Sequence, residues 1–275
     1  MAEPHTLEFM DGVMQRAYGV SSFRTSIDRF TASQPDGLAV VERDGVVVGT
    51  GCCVAYPDGG FGWIGLVATQ PGFERLGIAT TITEHLGSVL DGLGCASVLD
   101  ASLAGGPVNE RMGFADHGLT AVMGFVGGGG AGAQRHDECE LLTGDDLDEV
   151  VEFDAVRFGA SRRRVLAAVI AQNPGRALVL RRHREILGYL VAQETSLAPV
   201  VADDAASLSC LINAALGLDW RTPPRLNVPP ESGHVAELRR LGFESRRELR
   251  HMRRGVDALP GRRECIAGQV SLGEG

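Results

Sequence analysis

Residues 127–133 read GGGGAGA, and no other feature constrains the fold of this chain as strongly. Such a run offers at most methyl groups to a core and loses much backbone entropy if ordered, so it behaves as a flexible tether. It is not a dinucleotide fingerprint, because no strand leads into a G-x-G-x-x-G turn that opens a helix. The 275-residue chain therefore reads as two ordinary domains. The boundaries expected are a first domain at 1–126, a linker at 127–137, a second domain at 138–255 and a tail at 256–275.

Composition narrows the function classes. Apolar residues make up 44% of the chain and charged residues 22%, enough to build cores and to exclude wholesale disorder. There is no apolar run of about 18 residues that would span a bilayer, so no membrane partner is expected. Residues Met1–Met10 lack the basic start and apolar centre of a secretion signal, so a cytoplasmic location is expected. The net charge of −9 argues against nucleic acid as a partner, because duplex binding depends on neutralising phosphates. All 26 basic residues are arginine, which removes lysine nucleophiles and Schiff bases. The cysteines at 52, 53, 95, 139, 210 and 265 form no C-x-x-C pair, so free thiols and no metal site are expected.

The first half has a readable order. Helical spacing occurs over Leu7–Tyr18 and Thr25–Ser33. Two strand-like runs, Leu38–Glu42 and Val46–Ala55, flank Asp44-Gly45, a strong hairpin signal. A strand at Phe61–Thr69, a loop from Pro71, a helix over Ala79–Leu93 and a strand at Cys95–Asp100 follow. A short helix at Pro107–Met112 ends at Gly113, and a last strand spans Thr120–Val126. The second half echoes this plan. Ala177–Leu180 and Ile186-Leu187-Gly188 match Leu38–Val41 and Val47-Val48-Gly49, and Leu241-Gly242-Phe243 matches Met112-Gly113-Phe114. The fold class expected is α/β with mixed layers: two tandem domains, each a mostly antiparallel mixed sheet flanked by helices.

The stretch Gly62–Thr80, GWIGLVATQPGFERLGIAT, carries the chemistry. An apolar strand enters a glycine-containing loop and then a helix. A helix start leaves about four N–H groups without partners and carries partial positive charge. Gly72 and Gly77 let backbone approach a bulky anion, and Arg75 adds a full charge. The arrangement suits a pyrophosphate.

These residues resemble the cofactor motif of the GNAT family of N-acetyltransferases, approximately V-x-x-x-P-x-x-[QR]-x-x-G-x-[GA]. Val67, Pro71, Gly77 and Ala79 match it, Trp63-Ile64-Gly65 matches the strand before it, and Met112-Gly113-Phe114 matches the family's later L-G-F element. The resemblance implies acetyl-CoA as co-substrate and an amine of a small molecule as acceptor. It implies that backbone of Val67, Ala68 and Thr69 bonds the pantetheine arm. The loop around Gly72, with the amides of Arg75, Leu76, Gly77, Ile78, Ala79 and Thr80, would then hold the pyrophosphate. An acyl-CoA sensor without turnover and a protein N-acetyltransferase are the alternatives, and the protein is expected to be a monomer or homodimer.

Two departures stand out. Glu74 occupies the family's Gln or Arg position, where a carboxylate opposes a pyrophosphate. Asn109 stands where many members carry the tyrosine that protonates the leaving thiolate, and an amide donates a hydrogen bond but delivers no useful proton. Asp100, at a strand end, is the leading candidate for a base, with a capping role as the alternative. Glu42, His85, His117, Tyr18 and Tyr56 are weaker candidates for which surface or packing positions are expected.

In the second half, Leu197–Leu216 lacks the glycine loop, and Asp203-Asp204 stand at the expected helix start, where carboxylates would fill the free amides. No CoA site is expected there. Phe153-Asp154, Phe158-Gly159 and Arg162 resemble the F-D-x-x-x-F-G-x-x-R pattern of the C-terminal domain in some tandem GNAT proteins. Asp154 and Arg162 are candidates for binding a polar amine, with a cap and an ion pair as the alternative. The clusters Arg162–Arg164 and Arg246–Arg254 read as solvated faces.

Overall fold

A computed structural model describes residues 4–19, 22–127 and 139–275. The expected linker beyond Gly127 lies outside the described residues. The chain divides into two compact units. Unit 1 holds residues up to His117 together with Met252–Asp257 and Leu272–Gly275, and unit 2 holds Gly118–His251 and Ala258–Ser271.

Unit 1 begins with helices α1 (Pro4–Tyr18) and α2 (Arg24–Ser33), then strands β1 (Leu38–Arg43), β2 (Val46–Tyr56) and β3 (Phe61–Thr69). Helix α3 (Ile78–Gly92), strand β4 (Ala96–Ala101) and helix α4 (Gly106–Arg111) follow. The strands lie in the order β1–β2–β3–β4. Asp44 and Gly45 both take positive φ, 51° and 76°, as a two-residue turn of type I′ requires. Arg43 accordingly faces Val46 across the hairpin.

Helix α3 follows from its spacing. Ile78, Ile82, Leu86 and Leu90 recur every fourth position, and all are buried. They sit on backbone, because β2 has no side chains in their path. A Cβ on Gly49 would stand 2.3 Å from Ile78 Cγ2, and one on Gly51 would stand 2.4 Å from Ile82 Cγ2.

The strand β3 is irregular where function is expected. Its antiparallel pairing with β2 passes from Thr50–Ala68 to Cys52–Gly65, so Leu66 and Val67 share the place opposite Gly51 in a bulge. Leu66 takes φ of 52°. Its parallel pairing with β4 runs from Phe61–Ala96 to Trp63–Val98 and goes no further. The ladder thus ends at Trp63–Val98, although both strands run on, β3 to Thr69 and β4 to Ala101.

The stretch 256–275, expected to be a tail, is built into the fold. Ile266–Gly268 is strand β12, paired with a strand of unit 2. Leu272–Gly275 returns to unit 1, where Gly273 lies on Gly65 so closely that a Cβ on Gly65 would be 2.3 Å from its Cα. Glu274 is fully buried and takes Arg29 Nε and Nη2 at 2.6–2.9 Å. The Tyr56 hydroxyl donates to the Glu274 carbonyl at 2.6 Å.

Unit 2 repeats the plan. It contains β5 (Ala115–Phe125, shared at its start with unit 1), β6 (Cys139–Leu141), α5 (Leu147–Phe158), α6 (Arg163–Gln172), β7 (Ala177–Arg182), β8 (Glu185–Ala192) and β9 (Leu197–Ala202). Then come α7 (Ala205–Leu216), β10 (Arg225–Val228), α8 (Val235–Arg240) and β11 (Phe243–Arg254, shared at its end with unit 1). One sheet has the order β12–β9–β8–β7–β6, and β11, β5 and β10 are neighbours in that order. The duplication is visible in detail. The β1–β2 hairpin shifts register between Val41 and Glu42, and the β7–β8 hairpin shifts at the matching Leu180 and Arg181. His183 and Arg184 repeat the positive φ of Asp44 and Gly45. Gly188 repeats Gly49, since a Cβ there would meet Leu211 of α7 at 2.8 Å. The fold is thus mixed α/β, with mostly antiparallel strands flanked by helices in both units.

The Arg29–Glu274 pair generates a prediction. Arg29→Ala leaves Glu274 buried without its cation and is expected to destabilise the protein by about 3–5 kcal/mol, whereas Arg29→Met with Glu274→Leu is expected to lose much less. Urea denaturation of the single and double variants measures this. Equal losses would show that the charges do not oppose one another across this contact.

Candidate functional site

The end of β3 and the loop Gln70–Gly77 place the sequence motif in one region of unit 1. Val67, Ala68 and Thr69 form the last residues of β3, next to the bulge. The loop is shaped by Gly72, Arg75 and Gly77, which take φ of 91°, 62° and 79°. Gly77 is the N-cap of α3, and no side chain caps that helix. Leu76, Gly77 and Ala79 are exposed and Thr80 half-exposed, whereas Ile78 is buried as the anchor of the helix. The amides of Ile78, Ala79 and Thr80 therefore begin a fifteen-residue helix with no capping side chain over them.

Three contacts here were not readable from the sequence. The Tyr18 hydroxyl, at the end of α1, donates to the Val67 carbonyl at 2.7 Å. Arg16 Nη2, two residues earlier, donates to Gln70 Oε1 at 2.8 Å, which sets a guanidinium beside the start of the loop. The Glu74 carboxylate turns back and accepts the Gly72 N–H at 2.8 Å. Their signals were the helical end at Tyr18 and the acid in the loop, but spacing says nothing of which strand a helix end meets.

Asp100 is the second-last residue of β4, half-buried, and accepts the Trp63 indole N–H at 3.4 Å. Asn109 lies in α4, where its own carbonyl takes the N–H groups of Met112 and Phe114 and so closes the helix before Gly113. Of the weaker candidates, Glu42 and His85 are exposed, His117 is half-buried, and Tyr56 is buried and committed to the Glu274 carbonyl. The cysteines are free thiols. Burial pushes the Cys53 thiol up to about 12, with Cys95 nearby adding to the effect, so it is no nucleophile. Among the described residues no group of His, Cys, Asp and Glu is placed to hold a metal ion, and no helix is long and apolar enough to cross a membrane.

Asp154 and Arg162 require a correction. Both are closed off from solvent and bonded to each other through two contacts at 2.8 and 2.9 Å. Arg162 also stacks on Phe158 at 4.1 Å, and Tyr189 donates its hydroxyl to Asp154. Burial, and then the Asp154 charge beside it, push the Tyr189 phenol well above its usual range. Gly159 ends α5 with φ of 92°, and a Cβ there would strike the Pro260 carbonyl. The F-D-x-x-x-F-G-x-x-R pattern thus builds the interior of unit 2 and offers no surface for an amine.

The second copy of the loop is closed. Asp204 is the N-cap of α7, and its carboxylate takes the Ser207 N–H at 2.7 Å. Asp203 is held by Arg157 through two contacts, at 2.9 and 2.6 Å. At the bulge of β9, between the pairs Leu190–Val200 and Ala192–Leu197, the place of Val67 is taken by Pro199, which has no N–H to offer. The Ser207 N–H bond holds the Asp204 carboxyl below its ordinary range. A lowered acid stabilises the fold above its unfolded pKa, and the benefit is lost as pH falls through the lower folded value. Asp204→Ala is therefore expected to cost about 1 kcal/mol at neutral pH, with the gap closing as pH drops below the usual carboxylate range. Urea denaturation across pH measures the gap, and a gap unchanged in acid would refute the capping role.

Comparisons with known proteins agree with this geometry. Residues 7–114 match the family model described as Acetyltransferase (GNAT) family, and residues 150–268 match that described as Acetyltransferase (GNAT) domain. No curated protein matches the chain. A putative acetyltransferase from Pyrococcus horikoshii shares 22% identity with a TM-score of 0.86, covering 100% of this chain and 94% of that one. A GCN5-related N-acetyltransferase from Sphaerobacter thermophilus shares 13% identity with a TM-score of 0.67, covering 94% and 95%. A tandem GNAT protein from the clavulanic acid biosynthesis pathway shares 16% identity with a TM-score of 0.56, covering 92% and 95%. With one such domain on each side of the glycine run and the two copies folded on one plan, the chain belongs to the GNAT acetyltransferase family in its tandem form.

Proposed function

We propose that unit 1 binds acetyl-CoA and transfers its acetyl group to the amine of a small molecule, while unit 2 binds no CoA. One contrast carries this reading. The helix after the bulged strand starts without a capping side chain in unit 1, at Gly77, and starts under a carboxylate in unit 2, at Asp204. An uncapped helix start is a ready anion site, and a capped one is not.

In this reading the ends of β3 and β4 receive the pantetheine arm, and the amides from Arg75 to Thr80 hold the pyrophosphate. Acetyl-CoA supplies an activated acyl group, so the chain has chiefly to position the amine and take its proton. In this reading Asp100, near the end of β4 and bonded to the Trp63 indole, accepts that proton. Asn109, in α4, carries an amide and cannot serve as acid. This absence favours one second reading, an acyl-CoA sensor that binds without turnover. The acceptor belongs to the class of small amines, with no nucleic acid or membrane involved and a cytoplasmic site of action. The protein acts as a monomer or homodimer.

A calorimetric titration with acetyl-CoA tests the reading. One site per chain is expected for the wild type, and none for Gly77→Glu, which places a carboxylate at the helix start. Release of CoA thiol with a panel of amines then separates the enzyme from the sensor. Absence of binding at millimolar ligand would overturn both readings, and two sites per chain would overturn the assignment of unit 2.

A further inference from the structure

Glu74 is the only acidic side chain between Pro71 and Thr80, and it is seated on the backbone of that same loop. Its carboxylate accepts the Gly72 N–H at 2.8 Å. That amide belongs to the loop that takes positive φ at Gly72, Arg75 and Gly77 and leads into the uncapped start of α3. The side chain is exposed and hydrogen-bonded to the loop without burial, so it is free to leave. Unit 2 shows the same chemistry carried further, with Asp204 seated on the Ser207 N–H over the helix start itself. In unit 1 the acid has its seat one turn earlier, and the helix start stays uncapped.

We infer that Glu74 is a tethered competitor for the anion-binding loop and thereby a residue that sets the affinity for the co-substrate; this rests on the acetyl-CoA reading above. An incoming pyrophosphate meets a negative charge at the mouth of its cradle. Binding requires the carboxylate to give up Gly72 and swing into solvent. Arg75 and Arg16, the latter held by Gln70, supply the opposing charge on either side. Affinity is then a balance between a resident anion and an arriving one, and release of the spent CoA is assisted by the return of Glu74 to its seat.

The test compares Glu74→Gln with the wild type and with Glu84→Gln, which removes an exposed carboxylate further along α3. Glu74→Gln keeps an oxygen to accept the Gly72 N–H and loses only the charge, and both variants leave the core untouched. Calorimetry with acetyl-CoA, and separately with inorganic pyrophosphate, reads the dissociation constants at low and high salt. Glu74→Gln is expected to bind both ligands about three- to ten-fold more tightly at low salt, with the gain falling as salt screens the charge. Glu84→Gln is expected to stay within about twofold of the wild type. Equal or weaker binding by Glu74→Gln would overturn the inference and leave the acetyl-CoA reading standing. An equal gain in both variants would also overturn it, because the effect would then come from net charge. Failure of all three proteins to bind either ligand would overturn the acetyl-CoA reading together with it.

Discussion

The approach of α3 to the bare backbone of β2 is the constraint on which unit 1 depends. Gly49 and Gly51 leave no side chain between the strand and Ile78 or Ile82. The helix therefore rests on bare backbone at these two points, where even a methyl group would collide, and its first residue is seated there. Because Ile78 anchors the helix at its start, the amides that follow Gly77 hold one position relative to the end of β3. A helix resting on larger residues would leave those amides elsewhere. The bulge at Leu66 and Val67 and the early end of the β3–β4 ladder then complete the region from the strand side.

The same notch recurs in unit 2, where Gly188 admits Leu211, yet the second region is shut. The two copies share what positions a helix and differ in what the helix start is given to bind. Hairpin turns, register shifts and the glycine notch are kept alike because each is required to close a sheet under a helix. Asp204 and Pro199 are changes in which the fold loses nothing, and each removes a group that an anion or a polar arm would need. A duplicated scaffold and a single open site follow from the same set of contacts.

Much of this was legible in the chain itself, for reasons that differ from element to element. Phe61–Thr69 and the Asp44-Gly45 turn are written in local pattern, and the structure places them as read. The Gly77 helix start was legible because glycine and the apolar spacing after it meet at one residue. Asp154 and Arg162 show where local pattern stops. A buried ion pair and an exposed binding pair look alike in sequence, and only packing against Phe158 and Tyr189 tells them apart. Tyr18 on Val67, and Arg29 with Glu274, join residues far apart along the chain, and no periodicity links them. The seat of Glu74 was hidden for the opposite reason. It is so local that either orientation of one side chain satisfies the same sequence.

The bond between Arg29 and Glu274 has a consequence for how the protein is made. The two residues are 245 positions apart, and both belong to unit 1. A chain emerging from the ribosome presents α1 through β4 long before it presents Leu272–Gly275. During that interval Arg29 has no anion in its pocket and Gly65 has no Gly273 upon it. Unit 1 then waits, through the synthesis of most of unit 2, for Met252–Asp257 and at last for Leu272–Gly275. Such a domain cannot mature in the order of its sequence. The first half to be synthesised is the last to be finished.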